Sequence, residues 1–211
     1  MNRFLAPLIV SIVVLLASAA HAEDFKLVVL GDSLAAGYQL PAGDGFSGQL
    51  QKALEAGGHA VEVVNASVSG DTSSGGLSRL DWSVGTDTDA VIVELGANDA
   101  LRGISPEITR ANIDEITRLL RARGVEVLLA GMIAPRNLGP DYAQGFDGIY
   151  AEVARAHDAL LYPFFLEGVA LDPDLNLADG MHPNAKGVEV IVENILPKVE
   201  ALLDRSRSSR E

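Results

Sequence analysis

The segment Lys26-Leu27-Val28-Val29-Leu30-Gly31-Asp32-Ser33-Leu34-Ala35-Ala36-Gly37 joins an apolar run to a small polar turn. Four branched apolar residues lead straight into Gly31-Asp32-Ser33-Leu34, the pattern of a buried strand that delivers a serine to the rim of a parallel sheet. A serine placed there serves as a nucleophile if a base, an orienting carboxylate and oxyanion donors reach it from elsewhere. Taken alone, Ser33 could equally cap the helix that follows the strand.

Outward from this segment, strands and helices alternate. Phe46, Leu50, Ala53 and Leu54 recur at helical spacing over 45–57, and Gly57-Gly58 suits the helix end. Val61, Val63 and Val64 mark a strand over 60–66, followed by a Gly- and Ser-rich loop over 67–76 that contains Gly70, and by a short helix over 77–84. A third buried strand covers 90–95. Ser105-Pro106-Glu107 supplies a cap, a first-position proline and an early acid for a helix that ends at Gly124, with Ile113, Ile116 and Leu120 on its buried face. A fourth strand covers 125–130. A helix from Tyr142 onward carries Phe146, Ile149, Tyr150, Val153, Ala154 and His157 on one stripe, and a last strand covers 160–165. Val188, Ile191, Val192, Ile195, Val199, Leu202 and Leu203 outline a final helix kinked at Pro197, ahead of a frayed polar tail. The alternation implies a central parallel sheet of about five strands covered on both faces, a three-layer α/β/α sandwich, whose sites form beyond the carboxyl ends of the strands.

Met1-Asn2-Arg3, an apolar run over 5–16 and Ala20-His21-Ala22 have the three parts of a secretory signal peptide, with cleavage expected after Ala22. The run is shorter than the roughly 20 residues a membrane span needs. The chain therefore divides into a leader, 1–22, one domain, 23–204, and a tail, 205–211, and the expected destination is periplasmic or secreted. The chain has no Cys, which removes a disulfide framework, a thiol nucleophile and a lipid anchor on a leader cysteine. No stable membrane anchor is expected. A formal charge of −13, or −14 without the leader, disfavours binding to a phosphate backbone, so no nucleic-acid partner is expected.

Four histidines compete to be the base for Ser33. His21 leaves with the leader, His59 precedes the second strand at the rim opposite the strand ends, and His157 lies on an apolar helix stripe. His182 remains, in Asp179-Gly180-Met181-His182-Pro183-Asn184 at the mouth of the final helix, with Pro183 suited to its first turn. A carboxylate three residues before a histidine, across a glycine, can fold back to a ring nitrogen, fixing its tautomer and stabilising the imidazolium. A local helix-capping hydrogen bond is the simpler alternative for the same residues. Backbone N–H groups of Ser33 and Gly70 and the side-chain amide of Asn98 are candidate oxyanion donors.

Gly31-Asp32-Ser33-Leu34, Gly70, Gly96-Ala97-Asn98-Asp99 and Asp179-Gly180-Met181-His182, in this order, resemble the four blocks of the SGNH (GDSL) hydrolase family. The segment from Glu94 to Gly103 is most similar to its exported bacterial thioesterase, lysophospholipase and arylesterase group, with Ala97 where that group often has Gly. The resemblance implies a flavodoxin-like sheet, Ser33 as nucleophile, His182 as base and Asp179 as its partner. It implies Ser33, Gly70 and Asn98 as the oxyanion hole, a loop over 100–105 that moves over the acyl chain, and no metal or cofactor. The expected substrate is a small-molecule or lipid acyl ester, such as an acyl thioester, a lysophospholipid or an aryl ester, and the expected state is a monomer.

Leu101 and Ile104 lie just beyond Asn98, and 132–146 supplies Ile133, Leu138, Tyr142 and Phe146. If both segments border the site, an acyl chain meets apolar side chains there; if they only pack their loops down, the site is shallow and suits acetyl or small aryl esters. The rivals fit less well. An α/β-hydrolase nucleophile elbow wants Gly where Ala35 stands, and the calcium-loop pattern beginning at Asp172 lacks Gly at Leu177 and Glu at Pro183. A carbohydrate acetyl esterase and a non-catalytic exported binding module remain as alternatives.

Overall fold

The computed structural model describes residues 25–209, so the leader reading lies outside the described residues. Five strands, β1 (Phe25–Gly31), β2 (Val61–Asn65), β3 (Ala90–Glu94), β4 (Glu126–Ala130) and β5 (Leu160–Tyr162), form one sheet in the order β2-β1-β3-β4-β5. Every pairing is parallel. Around them lie α1 (Ser33–Ala36), α2 (Phe46–Ala56), α3 (Ser73–Ser78), α4 (Leu80–Ser83), α5 (Ala97–Leu101), α6 (Pro106–Ala122), α7 (Pro140–Asp147), α8 (Ile149–Ala156) and α9 (Ala185–Ser208). α2 and α9 pack together as one layer, and α3, α6 and α8 form another.

Parallel strands covered on both faces need apolar side chains at consecutive positions, and β3 and β4 are buried at every residue. Leu27, Leu30, Ile92, Leu128 and Leu129 are fully buried among them, each contributing about 1.5–3 kcal/mol relative to exposure. Glu94, at the end of β3, is the polar exception on the site side of the sheet.

Five local expectations are corrected. The short helix begins at Ser73 rather than 77, because the Thr72 hydroxyl accepts the Gly75 N–H at 3.2 Å and starts the helix inside the Ser-rich loop. The helix expected from Tyr142 is two, α7 and α8, separated at Gly148, a residue whose backbone freedom favours a break. β5 stops at Tyr162, since Pro163 has no N–H for the ladder. The Ser105 hydroxyl donates to the Glu107 carboxylate rather than capping α6. The polar tail is helical to Ser208: Arg205 bridges Glu126 and Asp158, and the Ser206 hydroxyl donates to the Asp89 carbonyl at 3.0 Å. Polar side chains dock this last turn, so it shows no apolar stripe. Among the described residues no helix is long and apolar enough to cross a membrane.

Candidate active site

The parallel sheet brings the carboxyl ends of β1, β2 and β3 to one rim. Ser33 opens α1 directly after β1, Gly70 lies in the loop after β2, and Asn98 sits in α5 directly after β3. Asp32 caps α1, its Oδ1 accepting the Leu34 N–H at 3.0 Å. Gly70 has φ +84°, a left-handed conformation that costs glycine nothing. Gly96, between β3 and α5, has φ +116°, and any side chain there would run into the Tyr150 hydroxyl, which donates to the Leu95 carbonyl at 2.8 Å.

Asp179 and His182 come from the loop before α9. Asp179 Oδ1 accepts the N–H groups of Met181 at 2.9 Å and His182 at 3.0 Å, and its Oδ2 lies 2.7 Å from His182 Nδ1. Pro183 precedes the helix rather than joining its first turn; it bridges to Asn176, and Asn184 is the cap, accepting from Lys186 and Gly187. The backbone N–H of His182, then that of Met181, then the imidazole hold the Asp179 carboxyl down to about 2, so it is ionised across the physiological range. A carboxylate only accepts, so Nδ1 carries a proton, and in the neutral imidazole Nε2 is then the acceptor. Nε2 lies 2.8 Å from Ser33 Oγ, and the Tyr38 ring packs against the imidazole at 4.4 Å.

Asn98 Nδ2 donates to Asp32 Oδ2 at 3.0 Å. The Gly70 N–H has no acceptor among the described residues. Ser33, Gly70 and Asn98 line one cleft of about 930 Å³ with His182. The structure thus brings together all the residues expected for the chemistry. The other two described histidines are engaged elsewhere, His59 with Glu200 at 3.5 Å and His157 with Asp114 at 2.7 Å.

The apolar wall is only partly the expected one. Leu101 and Ile133 line the cleft. Ile104 does not: its carbonyl accepts the Tyr142 hydroxyl at 2.6 Å, which pins the loop down. Leu138 and Tyr142 are also absent from the lining, and Phe146 is buried in the core. Their place is taken by Phe164, Leu166 and Leu171 from beyond β5, which sequence spacing did not single out. The Asp172 loop closes on itself, with the Asn176 amide donating to the Val169 and Asp172 carbonyls, both at 2.7 Å.

Three polar residues behind the rim escaped the sequence reading. Asp32 is fully buried; burial raises its carboxyl to about 6, against the lowering effect of the Leu34 N–H and the Asn98 amide. Arg79, also buried, donates to Asp71, the Ala66 carbonyl, the Ser83 hydroxyl and the Gly31 carbonyl, tying the Gly70 loop to β1. Glu94 receives the Asp32 N–H at 3.2 Å. A carboxyl inside an otherwise apolar strand was the available signal for Glu94.

Comparison with known proteins agrees with this geometry. Residues 29–190 match the model of the GDSL-like lipase/acylhydrolase family. The chain is 41% identical over 191 residues to esterase TesA of Pseudomonas aeruginosa, covering 90% of this chain and 94% of that protein. It is 38% identical over 192 residues to thioesterase 1/protease 1/lysophospholipase L1 of Escherichia coli, covering 90% of each. A crystal structure of AlinE4, an SGNH-hydrolase family esterase, superposes with a TM-score of 0.72 at 43% identity, over 86% of this chain and 97% of that one.

The buried Asp32 carboxyl has a consequence for stability. Its folded-state value lies above the ordinary one near 4, so the stabilisation it provides is complete below about pH 4 and is lost as the pH rises through about 6. Asp32→Asn cannot ionise. Relative to that variant, the wild type should lose on the order of 2–3 kcal/mol between about pH 3.5 and 7. Urea unfolding at both pH values measures this, and a pH-independent difference between the two proteins would show that Asp32 titrates normally.

Proposed function

The chain belongs to the GDSL-like lipase/acylhydrolase family and is a serine hydrolase of small-molecule esters, and from that premise we propose that Ser33, His182 and Asp179 carry the reaction. The observation that carries this reading is the continuous relay of 2.7 Å from Asp179 to His182 and 2.8 Å from His182 to Ser33. Ser33 Oγ attacks the ester carbonyl carbon while His182 Nε2 takes its proton, and Asp179 stabilises the imidazolium. The developing oxyanion takes hydrogen bonds from the Ser33 and Gly70 N–H groups and the Asn98 amide, each such donor supporting roughly 10²–10³ in rate. Collapse expels the alcohol or thiol, which takes the proton from His182. Water, deprotonated by the same imidazole, then hydrolyses the acyl-enzyme.

The substrates we infer are carboxylic esters or thioesters with an aliphatic acyl part, such as acyl thioesters, lysophospholipids or aryl esters. The wall of Leu101, Met132, Ile133, Phe164, Leu166 and Leu171 supports this over an acetylated sugar, whose hydroxyls would meet these apolar side chains. Family membership leaves the non-catalytic binding module without support. We read the protein as an exported monomer, from the leader pattern and because one chain supplies the whole constellation.

A fluorophosphonate probe should label Ser33 stoichiometrically and abolish esterase activity; labelling at Ser69 or Ser73 would overturn the assignment. Native mass spectrometry of the exported protein should give one chain beginning at Glu23, whereas an intact Met1 or a dimer mass contradicts the reading. The acyl groove is tested by kcat/KM against chain length. Medium chains should exceed acetyl, since each buried methylene contributes up to about 0.8 kcal/mol, and Leu101→Ala should flatten the profile. A steady fall from acetyl upward, unchanged in the variant, would rule the groove out.

A further inference from the structure

Glu94 is fully buried at the last position of β3, where its register partner on β1 is Gly31. A side chain on Gly31 would collide with it: a Cβ there would lie 2.8 Å from Glu94 Oε2 and 2.8 Å from the Ala35 methyl. The glycine at the head of the nucleophile turn therefore makes room for this carboxyl, which folds over the turn instead. Oε2 accepts the Asp32 N–H at 3.2 Å, and the Ala35 N–H faces the same carboxyl and favours its charge. These two N–H groups stand on either side of Ser33.

The other oxygen, Oε1, is buried and accepts no hydrogen bond among the described residues. Among the described residues, the groups acting on the carboxyl include no cation. Asp32 faces it from the turn after β1, and Tyr150 of α8 and Asp99 of α5 lie nearby. His182 acts on Asp32 from the loop before α9. Arg79, a buried cation on this rim, spends its guanidinium on Asp71, Ser83 and the carbonyls of Gly31 and Ala66. An ionised carboxylate left in this setting would cost several kcal/mol. Burial first, and the Asp32 charge second, push Glu94 well above the usual carboxyl range. An oxygen that carries its own proton needs no donor, and the Asp32 carboxylate that faces it can accept that proton's hydrogen bond.

We propose that Glu94 is a positioning residue for the nucleophile, held as the neutral acid. It accepts the Asp32 N–H just before Ser33 and donates to the Asp32 carboxylate, which in turn holds the Asn98 amide, so that one buried proton sets both the serine and an oxyanion donor. This rests on Ser33 being the nucleophile.

The tests are Glu94→Gln and Glu94→Leu with a chromogenic ester and a fluorophosphonate. Glu94→Gln keeps both an acceptor for the N–H groups and a donor to Asp32, so kcat and KM should stay within about threefold of wild type. Glu94→Leu keeps neither; its kcat and its rate of Ser33 labelling should fall about 10- to 100-fold at nearly constant KM, the scale of a misplaced reacting group. Wild-type kcat in Glu94→Leu, a change confined to KM, or a Glu94→Gln variant as impaired as Glu94→Leu would each overturn the proposal. Should Glu94→Leu not fold, carbon-13 NMR of the wild type decides. The side-chain carboxyl resonance that disappears in Glu94→Gln should sit at a protonated position at pH 7; a carboxylate position at pH 7 refutes the neutral acid. Wild-type labelling away from Ser33 would defeat the nucleophile assignment, whereas labelling at Ser33 with an unchanged rate in Glu94→Leu would defeat the role of Glu94 alone.

Discussion

Hydrogen bonding of β1 to a parallel strand on each side is the constraint on which the rest of the structure depends. Parallel neighbours end on the same rim, so the turn after β1, the loop after β2 and α5 after β3 must leave the sheet together. That convergence places Ser33, Gly70 and Asn98 around one cleft without long connections. It also forces the ends of β1 and β3 into close register, Gly31 against Glu94, where the missing side chain of one is filled by the carboxyl of the other.

Two acids near the serine show how environment assigns opposite behaviour to one functional group. Asp179 sits in a partly exposed turn and collects two backbone N–H groups and an imidazole, so its charge is favoured and can orient His182. Asp32 is wholly buried, and the Leu34 N–H and Asn98 amide that donate to it help its charge to be tolerated. The first is suited to stabilising a developing imidazolium. The second is suited to holding an amide rigidly in place. Arg79 completes the rim by committing its donors to the ends of β1 and β2 and to the Gly70 loop, which is what makes a buried guanidinium tolerable.

Much of the cleft's apolar wall comes from α5 with Leu101, the loop after β4 with Met132 and Ile133, and the loop after β5 with Phe164, Leu166 and Leu171. An apolar wall from several loops over a polar floor is the usual division of labour in a small-molecule site, area for binding and a few polar groups for orientation. Leu171 is 91% exposed and Leu101 58% exposed, so part of this wall is available to a substrate rather than spent on the core.

Much of this was legible in the sequence because it depends on local pattern. Consecutive branched apolar residues named β1, β3 and β4, helical spacing named α2, α6 and α9, and four short blocks in order named Ser33, Gly70, Asn98, Asp179 and His182. The Asp179–His182 pair is three residues long, so its hydrogen bond is a property of one turn and could be read without a fold. Glu94, Asp32 and Arg79 act across 62, 66 and 48 residues, on Asp32, Asn98 and Gly31 respectively. Neither Leu171 at the cleft nor the docking of Arg205 and Ser206 follows any periodicity. Sequence alone therefore determined the strand-helix alternation and the candidate reacting side chains, since these follow from residue type and spacing. Only the tertiary structure decided which buried polar groups hold them in place and which apolar side chains face the substrate, because burial and hydrogen-bond partners belong to chain segments that meet only after folding.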